Sequence, residues 1–569
     1  GCVIVPEDRN GDLADTIKIA VAIYRSANPA PDPVIFITGG PGGQAIFWSR
    51  DFYTTVVAPL VSYRDFIVFD PRGVGLSQPR LDCIELGQTY LKDLQGKLPP
   101  GDELPYYEGA MLNCYDDLNG QGINPSAYNS ITTAADVRDI ILALGYQQAN
   151  LYGISYGTRI SQIAMRNHPE VVRTAILDSV VPVDANLIDG TSASDQDVLG
   201  LLFTECANNP QCSKAYPNLE QVFSETVQKL DIQPPMVEIT LSDNETSFQQ
   251  LSGAKFTSAI WGSMKYARTL SMIPQAIYRA HSGDYSAIES ALRTPSDTVS
   301  DLTLGVYVSF NCREQIFAST PEVMGDVLFK LCGLWNVDAP APGENDPVIS
   351  DIPTLILTGK YDSTTPPKLA AQVKQGLSNS YLMEFGGQAH APSTTDPSGC
   401  SQSIINAFLQ NPTVEPNRSC LEANNQVNFI LPYTGKPPLN LIPAAPLYGS
   451  IQFKFPVGWA DIGNGYFGRR NSAVDFTSIG FQRANVEEQG WIDWLMTEFR
   501  PAGFDTNPTQ NGTRKANGFL WTLYKTTSRG HPIDLAFAKY ENDTLMILLA
   551  THADEHDALI DTVFIPIID

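Results

Sequence analysis

Through the first two-thirds of the chain, apolar residues come in short unbroken runs rather than in alternation. Such runs stand at 34–37, 66–69, 149–152, 175–177 and 354–357, each closing on Gly, Asp or Ser. A strand covered on both faces has no polar side to show, so these runs predict buried parallel strands. Between them the period changes. Val137, Ile140, Ile141 and Leu144 recur at helical spacing, opened by Thr133 and closed by Gly145, which predicts an amphipathic helix. Strands alternating with helices predict an α/β core.

The stretch between the runs at 175–177 and 354–357 is rich in helical patterns such as 219–230, and residues 183–350 read as an inserted helical cap. The core is then split into 1–182 and 351–425. Beyond Cys400 come Asn411-Pro412, Pro416 and Pro437-Pro438, the best linker candidate in the chain. From about 445 to 569 the pattern becomes strands at 451–455, 519–524, 535–540 and 545–549, with a helix carrying Trp491, Leu495 and Phe499. That mixture predicts a small C-terminal α+β domain, whose sequence gives it neither an activity nor a partner.

Composition narrows the function classes. The 569 residues carry 37 basic and 62 acidic side chains, a net charge of −25. That balance argues against a phosphate-neutralising surface and so against nucleic acid as a partner. Hydrophobic residues make up 43% and charged ones 17%, which favours a packed globular chain. No apolar run approaches the roughly 18 residues that span a bilayer. Nine cysteines include no CxxC pair and no Cys/His cluster at zinc spacing, so disulfides are expected and no metal or organic cofactor is called for. Neighbours in sequence suggest the pairs Cys83–Cys114, Cys206–Cys212, Cys312–Cys332 and Cys400–Cys420, leaving Cys2 odd, as a free thiol or a lipid-anchored terminus. Bridged cysteines imply a secreted or periplasmic, envelope-facing location.

The candidate chemistry is nucleophilic. Gly153-Ile154-Ser155-Tyr156-Gly157 follows an apolar strand and precedes a helical pattern, the setting in which a G-x-S-x-G turn exposes its serine. A serine hydroxyl needs a general base, and the base needs an oriented partner. Among six histidines, His390 in Gly386-Gly387-Gln388-Ala389-His390 follows the apolar stretch 381–385 and is the preferred base. His168 and His281 follow no core strand, while His531, His552 and His556 are expected in solvated or helix-capping roles. Asp362, closing Thr358-Gly359-Lys360-Tyr361-Asp362, is the preferred acid, with Asp178 as runner-up. The Gly39-Gly40-Pro41-Gly42-Gly43 loop lacks the Gly-Lys-Ser/Thr ending of a phosphate cradle. It suits an oxyanion hole in which Gly40 and Tyr156 N–H groups converge, with Gly42 as the alternative donor.

These motifs, together with Asp70-Pro71-Arg72-Gly73-Val74-Gly75-Leu76-Ser77, resemble the proline iminopeptidase and tripeptidyl aminopeptidase branch of the α/β-hydrolases over about residues 1–420. Thr38 stands where many relatives place His. The resemblance implies an α/β-hydrolase fold with a cap, a Ser155–Asp362–His390 triad, and cleavage of peptides near a free N-terminus. It also implies that Glu314, in Ser309-Phe310-Asn311-Cys312-Arg313-Glu314, binds the substrate amine; a salt bridge to a nearby arginine is the competing role. Asp70 and Arg72 are expected to be structural. The rival readings are a carboxylesterase using the same triad on small esters, and a non-catalytic binding protein on a hydrolase scaffold.

Overall fold

The computed structural model describes residues 1–569 except 10, 12–13, 51, 95–96, 100–102, 187–190, 241–245, 289–290, 293–301, 317–325, 424, 433–438, 444–452, 464, 470–476, 499–506 and 529. Pro437, Pro438 and Phe499, and the start of the strand expected at 451–455, therefore lie outside the described residues. The chain forms two compact units. The first comprises 1–205, 260–271 and 294–428, and the second 206–259, 272–293 and 429–569.

The first unit is built on an eight-stranded sheet in the order Cys2–Pro6, Thr16–Tyr24, Phe66–Phe69, Val34–Ile37, Ala149–Ile154, Val172–Asp178, Thr354–Gly359, Ser380–Phe385. The last six run parallel, and the first two join the edge antiparallel. Val34–Ile37, Phe66–Phe69, Ala149–Ile154 and Thr354–Gly359 are buried along their whole lengths, as unbroken apolar runs require when helices cover both faces. Successive strands leave Val34–Ile37 on opposite sides, toward Phe66–Phe69 and then toward Ala149–Ile154. That reversal opens a crevice at the carboxyl ends of the strands, where ligands of open α/β sheets are bound.

The helix expected to open at Thr133 spans Ser130–Ala143. Asn129 accepts from the Thr132 N–H while the Thr132 hydroxyl reaches back to the Asn129 N–H. This capping box satisfies two otherwise orphaned donors and draws the start forward of the apolar spacing. Disulfides Cys83–Cys114, Cys312–Cys332 and Cys400–Cys420 cross-link this unit, the first two within one apolar cluster, and Cys2 is exposed and free.

The residues read as a single cap divide between the units. Segments 206–259 and 272–293 group with the C-terminal part of the chain, because their contacts are made there. Helices Leu219–Ile232 and Ile273–Ser282 pack together. Tyr216 donates its hydroxyl to the Ile430 carbonyl at 2.8 Å, and Arg279 pairs with Asp554 at 3.0 Å. Within this unit Cys206–Cys212 closes a short loop. Its main sheet is antiparallel, in the order Ala460–Gly463, Tyr466–Gly468, Ser478–Ala484, Asp543–Ala550, His531–Tyr540, Phe519–Ser528, Thr509–Ala516. Leu535 and Phe537 meet Trp491, Ile492 and Leu495 of the helix Glu488–Glu498 on one face. Ala536 and Ala538 meet Leu559, Val563 and Phe564 on the other, so the two-residue period of the strand serves two apolar layers.

Arg72 follows the strand Phe66–Phe69 and is 1% exposed. It donates to both oxygens of buried Asp136 at 2.7 Å and to the carbonyls of Glu7 and Ala127 at 2.7 and 2.8 Å. Replacing Arg72 with Ala leaves buried Asp136 paired with Arg9 alone, at 2.5 Å, so the cost is expected to fall below the about 3–5 kcal/mol of a buried charge left wholly unpaired. Chemical denaturation is expected to show a lower midpoint with an unchanged slope; a variant as stable as the parent refutes this assignment.

Candidate active site

Ser155 follows the strand Ala149–Ile154 and precedes the helix Tyr156–Asn167. Its backbone is left-handed, with φ 54° and ψ −123°, a strain of order 1–3 kcal/mol in a non-glycine residue. Close packing holds it there. A Cβ on Gly157 would lie 2.0 Å from the Ile37 carbonyl oxygen, and one on Gly39 would lie 3.0 Å from the Ser155 Cβ. The glycine loop and the serine turn are therefore pressed together at one end of the sheet. Tyr156 is the first residue of its helix, so its N–H has no acceptor within the helix and lies at the positive end of the helix dipole. Gly40 has φ 122°, and a Cβ there would lie 2.9 Å from the Gly42 nitrogen.

Asp362 and His390 lie beyond the two neighbouring strands Thr354–Gly359 and Ser380–Phe385, and they are bonded. His390 Nδ1 lies 2.9 and 3.0 Å from the two carboxylate oxygens. A carboxylate only accepts, so Nδ1 carries the hydrogen and Nε2 is left as the basic nitrogen. Asp362 is fully buried and also accepts from the Thr365 hydroxyl at 2.7 Å, the Thr364 and Thr365 N–H groups at 3.0 and 2.8 Å, and Ser179 Oγ at 2.7 Å. Burial pushes this carboxyl up, but the imidazole and the Thr365 donors outweigh it and hold Asp362 below the usual carboxylate range.

Ser155 is tied to the same framework through Asp178 and Ser179. The Ser155 N–H donates to the Asp178 carbonyl at 2.9 Å. Ser179 Oγ donates to Asp362 and accepts from the Ala391 N–H at 2.7 Å, next to His390. Asp178 Oδ2 accepts from the Ser393 N–H at 3.0 Å and from its hydroxyl. The runner-up acid therefore anchors the short helix after His390 and has no bond to the imidazole. The His390 N–H donates to the Lys265 carbonyl at 3.2 Å. Ser179 and Thr365 escaped sequence reasoning; the signal for Thr365 was its position in a hydroxyl-rich run right after Asp362.

Glu314, expected to meet a substrate amine, uses both carboxylate oxygens inside the protein. Oε1 accepts from the Ser130 N–H at 2.7 Å, and Oε2 from Ser130 Oγ at 2.7 Å and Arg159 Nε at 2.9 Å. Ser130 Oγ in turn lies 2.9 Å from the Tyr156 hydroxyl. The salt-bridge role describes this geometry: Glu314 braces the helix that begins at the serine turn. Asp70 likewise shapes its loop, accepting from the Ile46 and Leu76 N–H groups at 2.9 Å. A cavity of about 960 Å³ lined by Ile84, Glu85, Lys92, Tyr106 and Asp117 holds none of these residues.

The remaining histidines divide. His281 Nδ1 lies 3.2 Å from Thr226 Oγ1, and His556 Nε2 lies 2.6 Å from Asp534. His531 and His552, expected in solvated or helix-capping roles, are buried at 6% and 1% exposure.

Comparison with known proteins agrees with this architecture. A family model described as alpha/beta hydrolase fold matches residues 32–397. Serine protease Hip1 of Mycobacterium tuberculosis is 22% identical over 460 residues, covering 73% of this chain and 86% of that protein. Tripeptidyl aminopeptidase of Streptomyces lividans is 30% identical over 213 residues, covering 35% of this chain and 38% of that one.

Burial pushes the Asp178 carboxyl up to about 7. An acid raised in the folded state binds its proton more tightly there than in the unfolded chain. Its contribution is full below the ordinary carboxylate value and lost as pH rises toward 7. Asp178→Asn, which stays neutral, is therefore expected to gain melting temperature relative to the parent as pH goes from 5 to 8. A difference that does not change with pH in melting scans contradicts this.

Proposed function

We propose that this chain, which belongs to the α/β-hydrolase fold family, is an extracytoplasmic serine peptidase that cleaves peptides near a free N-terminus through an acyl-enzyme on Ser155. The observation that carries the reading is the bond between His390 and the fully buried Asp362, set at the same sheet end as a serine in a strained turn. Ser155 Oγ attacks the scissile carbonyl carbon and gives its proton to His390 Nε2, while Asp362 stabilises the imidazolium. The N–H groups of Gly40 and Tyr156 receive the oxyanion, preorganised donors of the kind worth roughly 10²- to 10³-fold in rate. His390 then protonates the leaving amine as the acyl–nitrogen bond breaks. Water, deprotonated by the same imidazole, releases the acyl group and restores the serine.

Peptide substrates are favoured because two of the matched relatives are named as a serine protease and a tripeptidyl aminopeptidase. An oxidising compartment is favoured by four closed disulfides. No helix among the described residues is long and apolar enough to cross a membrane. Glu314 acts in this proposal as a positioning residue, through Arg159 and Ser130, and not as the amine anchor.

The test is a hydrolysis screen over tripeptidyl amides with free and blocked amines and short-chain nitrophenyl esters. Free-amine amides are expected to be cleaved, with blocked amides much slower. Ser155→Ala should lose at least about 10⁴-fold in kcat, together with labelling by a fluorophosphonate. Ester turnover without any amide cleavage would make the chain a carboxylesterase, and a folded parent inert to every substrate and to the label would make it a binding protein.

Glu314→Gln separates its two roles. A positioning role predicts at least about a tenfold loss of kcat on amides and esters alike, with a lower melting temperature, since an unneutralised Arg159 is left buried. A rise in KM confined to free-amine amides, with ester turnover intact, would instead restore Glu314 as the amine anchor.

A further inference from the structure

One side chain from the middle of the sequence and two from a C-terminal hairpin converge in the second unit, away from any role in the proposed hydrolysis. Asp284, His531 and His552 each offer one donor atom, and these atoms lie within 4.8 Å of one another. Backbone geometry accounts for all three. In the antiparallel pair His531–Tyr540 and Asp543–Ala550, Asp534 faces Leu549 and Ile533 faces Ala550. The Thr551 N–H still donates to the Pro532 carbonyl at 3.1 Å, and the same register carried one step further sets His531 opposite His552. Their rings stand 5.0 Å apart, at 84° to each other. Asp284 arrives from the end of the helix Ile273–Ser282. There Gly283, at φ 96°, and Asp284 donate N–H groups to the Ala280 and Arg279 carbonyls at 3.0 and 2.9 Å, a Schellman turn that reverses the chain.

The donor set is selective. Two imidazoles and a carboxylate match zinc and neighbouring first-row divalent cations, whereas calcium and magnesium favour shells made only of oxygen. The carboxylate is already oriented, since Asp284 Oδ1 accepts from the Ser286 N–H at 3.1 Å and its hydroxyl at 2.6 Å, an outer contact of the kind that fixes metal ligands. Arg279, whose carbonyl closes the turn, directs its guanidinium to Asp554 at 3.0 Å.

We propose that Asp284, His531 and His552 form a divalent-cation site, for Zn²⁺ first, that clamps the segment 272–293 to the C-terminal sheet. Zinc–ligand distances of about 2.0–2.1 Å in a tetrahedron place ligands roughly 3.3 Å apart, so side-chain rotation closes the cluster around the ion and water completes the shell. No spacing motif announces this site, because Asp284 lies more than two hundred residues before the two histidines and meets them through a helix cap and a hairpin register.

The test uses the full chain, dialysed against chelator and titrated with zinc chloride in a calorimeter, alongside elemental analysis and thermal unfolding. One Zn²⁺ per chain and a raised melting temperature are expected. Asp284→Asn and His531→Gln should each weaken binding at least tenfold, and Cys2→Ser should leave it unchanged. Asp284 is half-buried, so its variant keeps the test sound if the His531 variant fails to fold. Absence of stoichiometric binding, or Asp284→Asn binding as tightly as the parent, overturns the proposal, as does loss of binding in Cys2→Ser.

Discussion

A carboxylate removed from water stays charged only where donors replace the water, and the end of the large sheet is organised around that requirement at Asp362. Four protein donors and an imidazole surround its two oxygens. Asp178, on the neighbouring strand and equally buried, accepts only from Ser393, and burial draws its carboxyl toward the protonated form. Two acids at adjacent strand ends are thus shifted in opposite directions because their donor counts differ. Asp362 stays bonded to the His390 imidazole, and Asp178 is a structural hook for the residues after His390.

Ser179 is the joint in this arrangement. It donates to Asp362 and accepts from Ala391, while its predecessor Asp178 receives the Ser155 N–H. One dipeptide at a strand end thus links the serine, acid and histidine loops. Positioning by backbone and buried hydroxyls suits chemistry in which small displacements of the reacting groups lower the rate steeply.

Below that layer, buried ion pairs brace the loops. Arg72 joins Asp136 to carbonyls of Glu7 and Ala127, and Arg159 joins Glu314 to carbonyls of Pro182 and Val183. Such pairs add little net stability compared with apolar packing, yet they penalise every arrangement that separates them. They work here as registration devices beneath a strained turn, the place where a loosened backbone would relax first.

Much of this was legible along the chain. Local signals carried the buried strands, since 34–37 and 66–69 are observed as read, and the disulfide partners are neighbours in sequence. The serine turn, the glycine loop and the order of Asp362 and His390 were readable because each motif is a few residues long and stands next to a strand. The edge strands Cys2–Pro6 and Thr16–Tyr24, and several of the C-terminal unit, escaped because their patterns mix exposed and buried positions. Tertiary structure alone decided where Glu314 points, that segments 206–259 and 272–293 pack with the C-terminal residues, and that Asp284 meets two histidines. The physical reason is common to all three. A side chain's partner is chosen by the register of strands and the caps of helices brought together from far along the chain, and local periodicity carries no record of that choice.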